Sequence, residues 1–143
     1  MKFIGLFSLM SNQEQLDEAD RRHGEFSLIV EAEAPDQAIR MFRDRIVYFR
    51  NNRQFFEGVC KIFLNQLLEF DEFPRSGAVM MNYKSIAGDP MMPFISCTVP
   101  TEHQDWCSIH DWNDNWPEVD GKTENLFIEF DDGTPQKEIT DSQ

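Results

Sequence analysis

The chain has 143 residues, 41% of them apolar and 13 of them phenylalanine, with a formal net charge of −13. That length suits one domain burying about two-thirds of the surface of its unfolded chain, and the aromatic content excludes a disordered acidic polymer. From Glu102 onward 12 acids face only Lys122 and Lys137, a field that repels nucleic acid and anionic membrane and attracts basic partners.

No apolar run approaches the ~18 residues that span a bilayer. Lys2 followed by Phe3 to Met10 superficially resembles a signal peptide, but the polar, acidic stretch Ser11 to Asp20 offers no small-residue cleavage site. The segment reads instead as a first strand. Cys60, Cys97 and Cys107 are odd in number and lack framework spacing, which predicts free thiols and a cytoplasmic location.

Ser11 to Gly24 is polar and turn-like. Phe26, Leu28 and Val30 then alternate with polar positions through Glu33, the period of a half-buried strand. Pro35 suits the first turn of a helix and Asp36 its positive end. Ile39, Phe42, Ile46 and Phe49 form one apolar stripe, with Arg40 and Arg45 pointing away, Arg43 near the edge, and Arg50 and Arg53 around the helix end. The helix is expected over about residues 35–52. Cys60 to Phe70 is apolar and ambiguous between strand and short helix. Ala78 to Tyr83 and Pro93 to Val99 read as further strands, and Leu126 to Phe130 is a last short apolar run.

These elements predict a single α+β domain over residues 1–130, a mostly antiparallel sheet with the helix packed on one face. The acidic, polar tail 131–143 is expected to be disordered. The second sheet face would be covered by the Trp-rich segment, a partner or water.

Cys97, His103, Cys107 and His110 form the right donor set for tetrahedral zinc, but their Cys-x5-His and Cys-x2-His spacing is not that of a zinc knuckle. Thiolate catalysis by Cys97 or Cys107 with His103 is opposed by the acidic surroundings. Asp111-Trp112-Asn113-Asp114-Asn115 copies the start of an EF-hand loop. It fails at Trp116, where glycine is needed, and at Lys122, where the bidentate glutamate belongs. Gly-rich phosphate loops, nucleophile elbows and metalloprotease helices are missing from the sequence, so no enzymatic activity and no cofactor are expected, zinc at the four Cys/His residues being the alternative.

Trp106, Trp112 and Trp116 stand among Asp105, Asp111 and Asp114. Tryptophan serves both as core filler and as interface anchor. The expected function is a non-enzymatic acidic binding protein that docks on a basic protein surface through Asp105, Asp111, Trp112, Asp114, Trp116 and Glu118. An inhibitor of the immunity or anti-defence type, acting on a nuclease or nucleic-acid-binding protein, fits that description. Direct binding to nucleic acid or membrane is not expected. The alternatives are a small zinc metalloprotein and a structural subunit of a homo-oligomer. A homodimer in which the Arg-bearing helix face meets the acidic segment of a second copy is a further expectation.

Overall fold

The first segment is apolar at both odd and even positions, so as a strand it has two faces to cover. Residues Lys2–Ser11 form β1, with Phe3, Gly5 and Phe7 on the buried side. The computed structural model describes residues 1–89, 99, 107–110, 118–119, 122–123, 127–131, 133 and 138. Contacts divide the chain into two units, Met1–Ser85 and Ile86–Gln143.

In the first unit, β2 (Arg22–Glu31) and β3 (Cys60–Phe70) flank β1 in the order β2-β1-β3, both antiparallel to it. The flanking strands therefore run parallel to each other. Helix α1 (Pro35–Asn52) joins them as a crossover around the intervening strand. The fold is α+β, as the element order predicts, and the helix spans the expected residues.

The β1–β2 connection is tied at both ends. Gln13 Nε2 donates to the carbonyls of Ser11 and Arg22, each at 3.1 Å, so one side chain bridges the strand ends. The short 3-10 turn Glu18–Asp20 is capped by the Asp17 carboxylate, which accepts from the Ala19 N–H at 3.0 Å. These ties let β2 start at Arg22, four residues before the alternation becomes legible at Phe26.

At the start of α1, Ala34 occupies the N-cap and offers no side-chain oxygen. Gln37 Oε1 instead accepts the Glu33 N–H at 2.8 Å, a capping-box contact displaced by one residue. At the far end Asn52 Nδ2 donates to the Tyr48 carbonyl. The predicted stripe faces the sheet, with Phe42 and Phe49 buried and Ile39 and Ile46 half-buried. Ala38, outside that stripe, is the most completely buried helix residue, at 0% exposure. Its small side chain lets the helix backbone approach Phe3 and Phe7.

The core is built from rings. Phe7 stacks on Phe26 (4.9 Å between centroids, 4° between planes) and meets Phe42 edge-on (5.8 Å, 90°). Phe26 touches Phe56, Phe56 touches Phe55, and Phe55 touches Phe49. Six phenylalanines thus run from mid-helix through the sheet and back to the helix end, in the offset and edge geometries that aromatic quadrupoles favour. Gly5 makes room for them: a Cβ there would lie 2.6 Å from the Phe7 ring and 3.0 Å from that of Phe42.

The ambiguous segment Cys60–Phe70 is a strand. Its register against β1 shifts between Leu6 and Phe7, because Asn65 is an extra residue in the ladder. The helix lies over β2 and β1, leaving the helix-side residue Leu64 of β3 exposed. The expected strand at Ala78 to Tyr83 does not form: residues 71–89 contain neither helix nor strand, and Val79, Met80, Met81 and Tyr83 are exposed. That run lacks the alternation that would give it one face to bury, so its β-propensity has no packing to reinforce it.

In the second unit, β4 (Glu118–Val119) and β5 (Lys122–Thr123) make a two-stranded antiparallel ladder, with Val119 opposite Lys122. Of the expected strand Pro93 to Val99 only Val99 is among the described residues, and it is not in a strand. Phe127–Phe130 is exposed and without regular structure. The tail 131–143 is described only at Asp131, Gly133 and Glu138.

Candidate functional site

The acidic segment singled out by composition lies within the second unit. Residues 86–143 hold 13 acids against two lysines, a net of −11, whereas residues 1–85 hold 13 acids against 11 Lys or Arg, a net of −2. The structural division at Ser85/Ile86 is thus also an electrostatic one.

Among the six residues expected to bind a partner, Glu118 is placed on β4 opposite Thr123. Asp105, Asp111, Trp112, Asp114 and Trp116 lie outside the described residues, as do Cys97 and His103 of the zinc set. Cys107 and His110 are both exposed. The Ser108 hydroxyl oxygen sits 3.4 Å from His110 Nε2, so that ring nitrogen already has a neighbour from the chain. Among the described residues no group of three or more His, Cys, Asp or Glu is placed to hold a metal ion.

The unit also carries apolar side chains that sequence reading did not single out as contacts. Ile109 and Ile128 are exposed, and Phe127 and Phe130 are 77% and 73% exposed beside Glu129 and Asp131. Large apolar groups set among charges are a common composition of protein-binding surfaces. The sequence marks this stretch only as a short apolar run ended by Asp131 and Asp132, and the exposure of its rings comes from the fold. The β4–β5 ladder was legible, because Asp120-Gly121 between Val119 and Lys122 is a standard two-residue hairpin dipeptide.

The arginines of α1 are exposed, but two are held by the fold. The Arg45 guanidinium lies over the rings of Tyr48 and Phe49, 4.6 and 4.7 Å from their centroids. Arg50 Nη1 donates to the Phe56 carbonyl, pinning the loop that delivers Phe55 and Phe56 to the core. Arg45 and Arg50 therefore have a structural task.

On the sheet face opposite the helix, a shallow depression of about 270 Å³ is lined by Leu6, Ser27, Gln66, Asn82, Tyr83 and Lys84, among others. Around it Ile4 is buried between Ile29 and Leu68, while Ile29 itself is 50% exposed. The Cys60 thiol, at the start of β3, is pushed up from its ordinary value by partial burial, an effect that nearby Arg50 opposes. Among the described residues no helix is long and apolar enough to cross a membrane.

Comparison with known proteins returned no matching family model, curated protein or solved structure.

Proposed function

We propose that this protein is a non-enzymatic binding protein whose acidic second unit docks on a basic surface of another protein. The observation that carries this reading is the coincidence of charge and structure: a near-neutral first unit holds the ring-packed core, and the unit from Ile86 onward holds a net of −11. Asp105, Asp111, Asp114 and Glu118 steer the encounter, and Trp112 and Trp116 provide desolvated anchors. Exposed Phe127 and Phe130 support the same role, since large apolar rings in a charged setting gain most when a partner covers them. A partner that normally grips nucleic acid fits best, because its basic groove would accept carboxylates where phosphates otherwise lie. The three cysteines and the composition point to the cytoplasm as the place of action.

The test is affinity capture from the native host with wild-type protein and with a Trp112→Ala/Trp116→Ala variant. The expected result is a basic protein retained by the wild type at low salt, and retained at least tenfold less by the variant. Equal recovery by both proteins, or recovery unchanged in strong salt, contradicts the reading.

A further inference from the structure

The phase of hydrogen bonding along β2 identifies what its outer edge can accept. Met1 and Ala32 exchange both backbone bonds: Ala32 N–H donates to the Met1 carbonyl at 2.9 Å, and the Met1 amino group donates to the Ala32 carbonyl at 3.0 Å. The β1–β2 register continues from that pair without a bulge to Ser11↔Arg22. In an antiparallel ladder, bonded and non-bonded pairs alternate. The even-numbered residues of β2 therefore direct their N–H and C=O groups to β1. His23, Glu25, Ser27, Ile29 and Glu31 direct theirs outward, and among the described residues no hydrogen bond meets them. Over ten residues this edge has no proline and no bulge, two of the devices that discourage pairing, and its charges, Arg22, Glu25 and Glu31, are of both signs. The opposite edge of the sheet differs, because the extra residue Asn65 breaks the ladder in the middle of β3.

We propose that the β2 edge pairs antiparallel with the same edge of a second copy, making a continuous six-stranded sheet with a two-fold axis at Ser27. Charge selects both partner and direction. The edge is basic at its start, with Arg21, Arg22 and His23, and acidic at its end, with Glu31 and Glu33. An antiparallel copy sets the basic end of each strand against the acidic end of the other, and a parallel copy would oppose like charges.

Register follows from the phase. With Ser27 facing Ser27, His23 faces Glu31 and Glu25 faces Ile29, so every outward residue meets another outward residue and each pair exchanges both backbone bonds. On the helix side the same register sets Phe26 opposite Leu28 and Gly24 opposite Val30, which buries more of the half-exposed apolar row. On the other side it covers part of Ile29. Strands stand about 4.8 Å apart. Two helices each lying over a β1–β2 pair would then be about 10 Å apart, close to the spacing of packed helices. This contact involves neither the acidic unit nor its partner, so either proposal can fail without the other.

Residue-resolved amide exchange of the full chain in dilute and concentrated solution, alongside sedimentation equilibrium, tests it. The expected result is a reversible dimer in which the amides of His23, Glu25, Ser27, Ile29 and Glu31 gain at least tenfold protection with concentration, while those of Leu67 and Glu69 on the β3 edge do not. Ser27→Lys, which opposes two ammonium groups on the axis at an exposed position, should raise the dissociation constant at least tenfold. Ser27→Pro, which removes an outward donor that an edge strand can lose without breaking its inner ladder, should do the same. A monomer at millimolar concentration, or a dimer in which those five amides exchange unchanged, overturns the proposal. A dimer indifferent to both substitutions also overturns it.

Discussion

Single residues decide whether the two ends of the sheet close. Gly58 has a φ of +76°, and a Cβ built on it would strike the side-chain amide of Asn12. Asn12, itself at a φ of +57°, donates its N–H to the Val59 carbonyl at 2.9 Å. Gly58→Ala combines left-handed strain with a steric conflict and should cost about 1–3 kcal/mol. Urea unfolding would measure that loss, and an unchanged midpoint would contradict the described turn. Cys60 offers a chemical probe. Its thiol is raised from 9.0 mainly by burial, with Arg50 opposing, so the folded chain keeps this proton to higher pH than the unfolded chain. The associated stability is intact below the unfolded value and is lost as pH rises through that value to the folded one. Near pH 8 alkylation of Cys60 should lag several-fold behind that of exposed Cys107, as followed by mass spectrometry. Equal rates would contradict its partial burial.

Among the elements, α1 is held mainly by the phenylalanine chain. Phe42 is buried and meets Phe7 edge-on, so Phe42→Ala opens a cavity and should cost about 3–5 kcal/mol. Replacing exposed Met41 by Ala should cost far less, and calorimetry on the two variants would separate them. The helix was legible in sequence because Pro35 marks its start and the Phe42, Ile46 and Phe49 spacing repeats strictly. Strand β1 was legible from its dense apolar composition. Less was visible where tertiary contacts override local pattern. Phe55 and Phe56 fall in no regular element, yet they complete the core because Arg50 binds the Phe56 carbonyl. Composition could not reveal that contact. Ala78 to Tyr83 failed in the opposite way: β-propensity without alternation did not make a strand. For the candidate site, the concentration of charge was plain from counting, and exposed Phe127 and Phe130 were not, since exposure depends on what the fold leaves uncovered.

On the scale of the whole molecule, two regions with 13 acids each differ through their bases. The first unit mixes 11 Lys or Arg with its acids, and the second has Lys122 and Lys137 alone. A solubility role needs only moderate net charge spread over the surface. A net of −11 within 58 residues exceeds that need, and the proposed steering of a cationic partner rests on this excess. Such steering appears in the association rate more than in the strength of the final contact, and it weakens as salt shortens the Debye length from about 10 Å at 0.1 M to about 3 Å at 1 M. The most direct measurement is therefore the association rate with the captured partner across that salt range, for wild type and for the variant Asp105→Asn/Asp111→Asn/Asp114→Asn/Glu118→Gln. The expected wild-type rate falls at least tenfold as salt rises, and the expected variant is slower at low salt and converges on wild type at high salt. A salt-independent rate, or a variant as fast as wild type throughout, would contradict it.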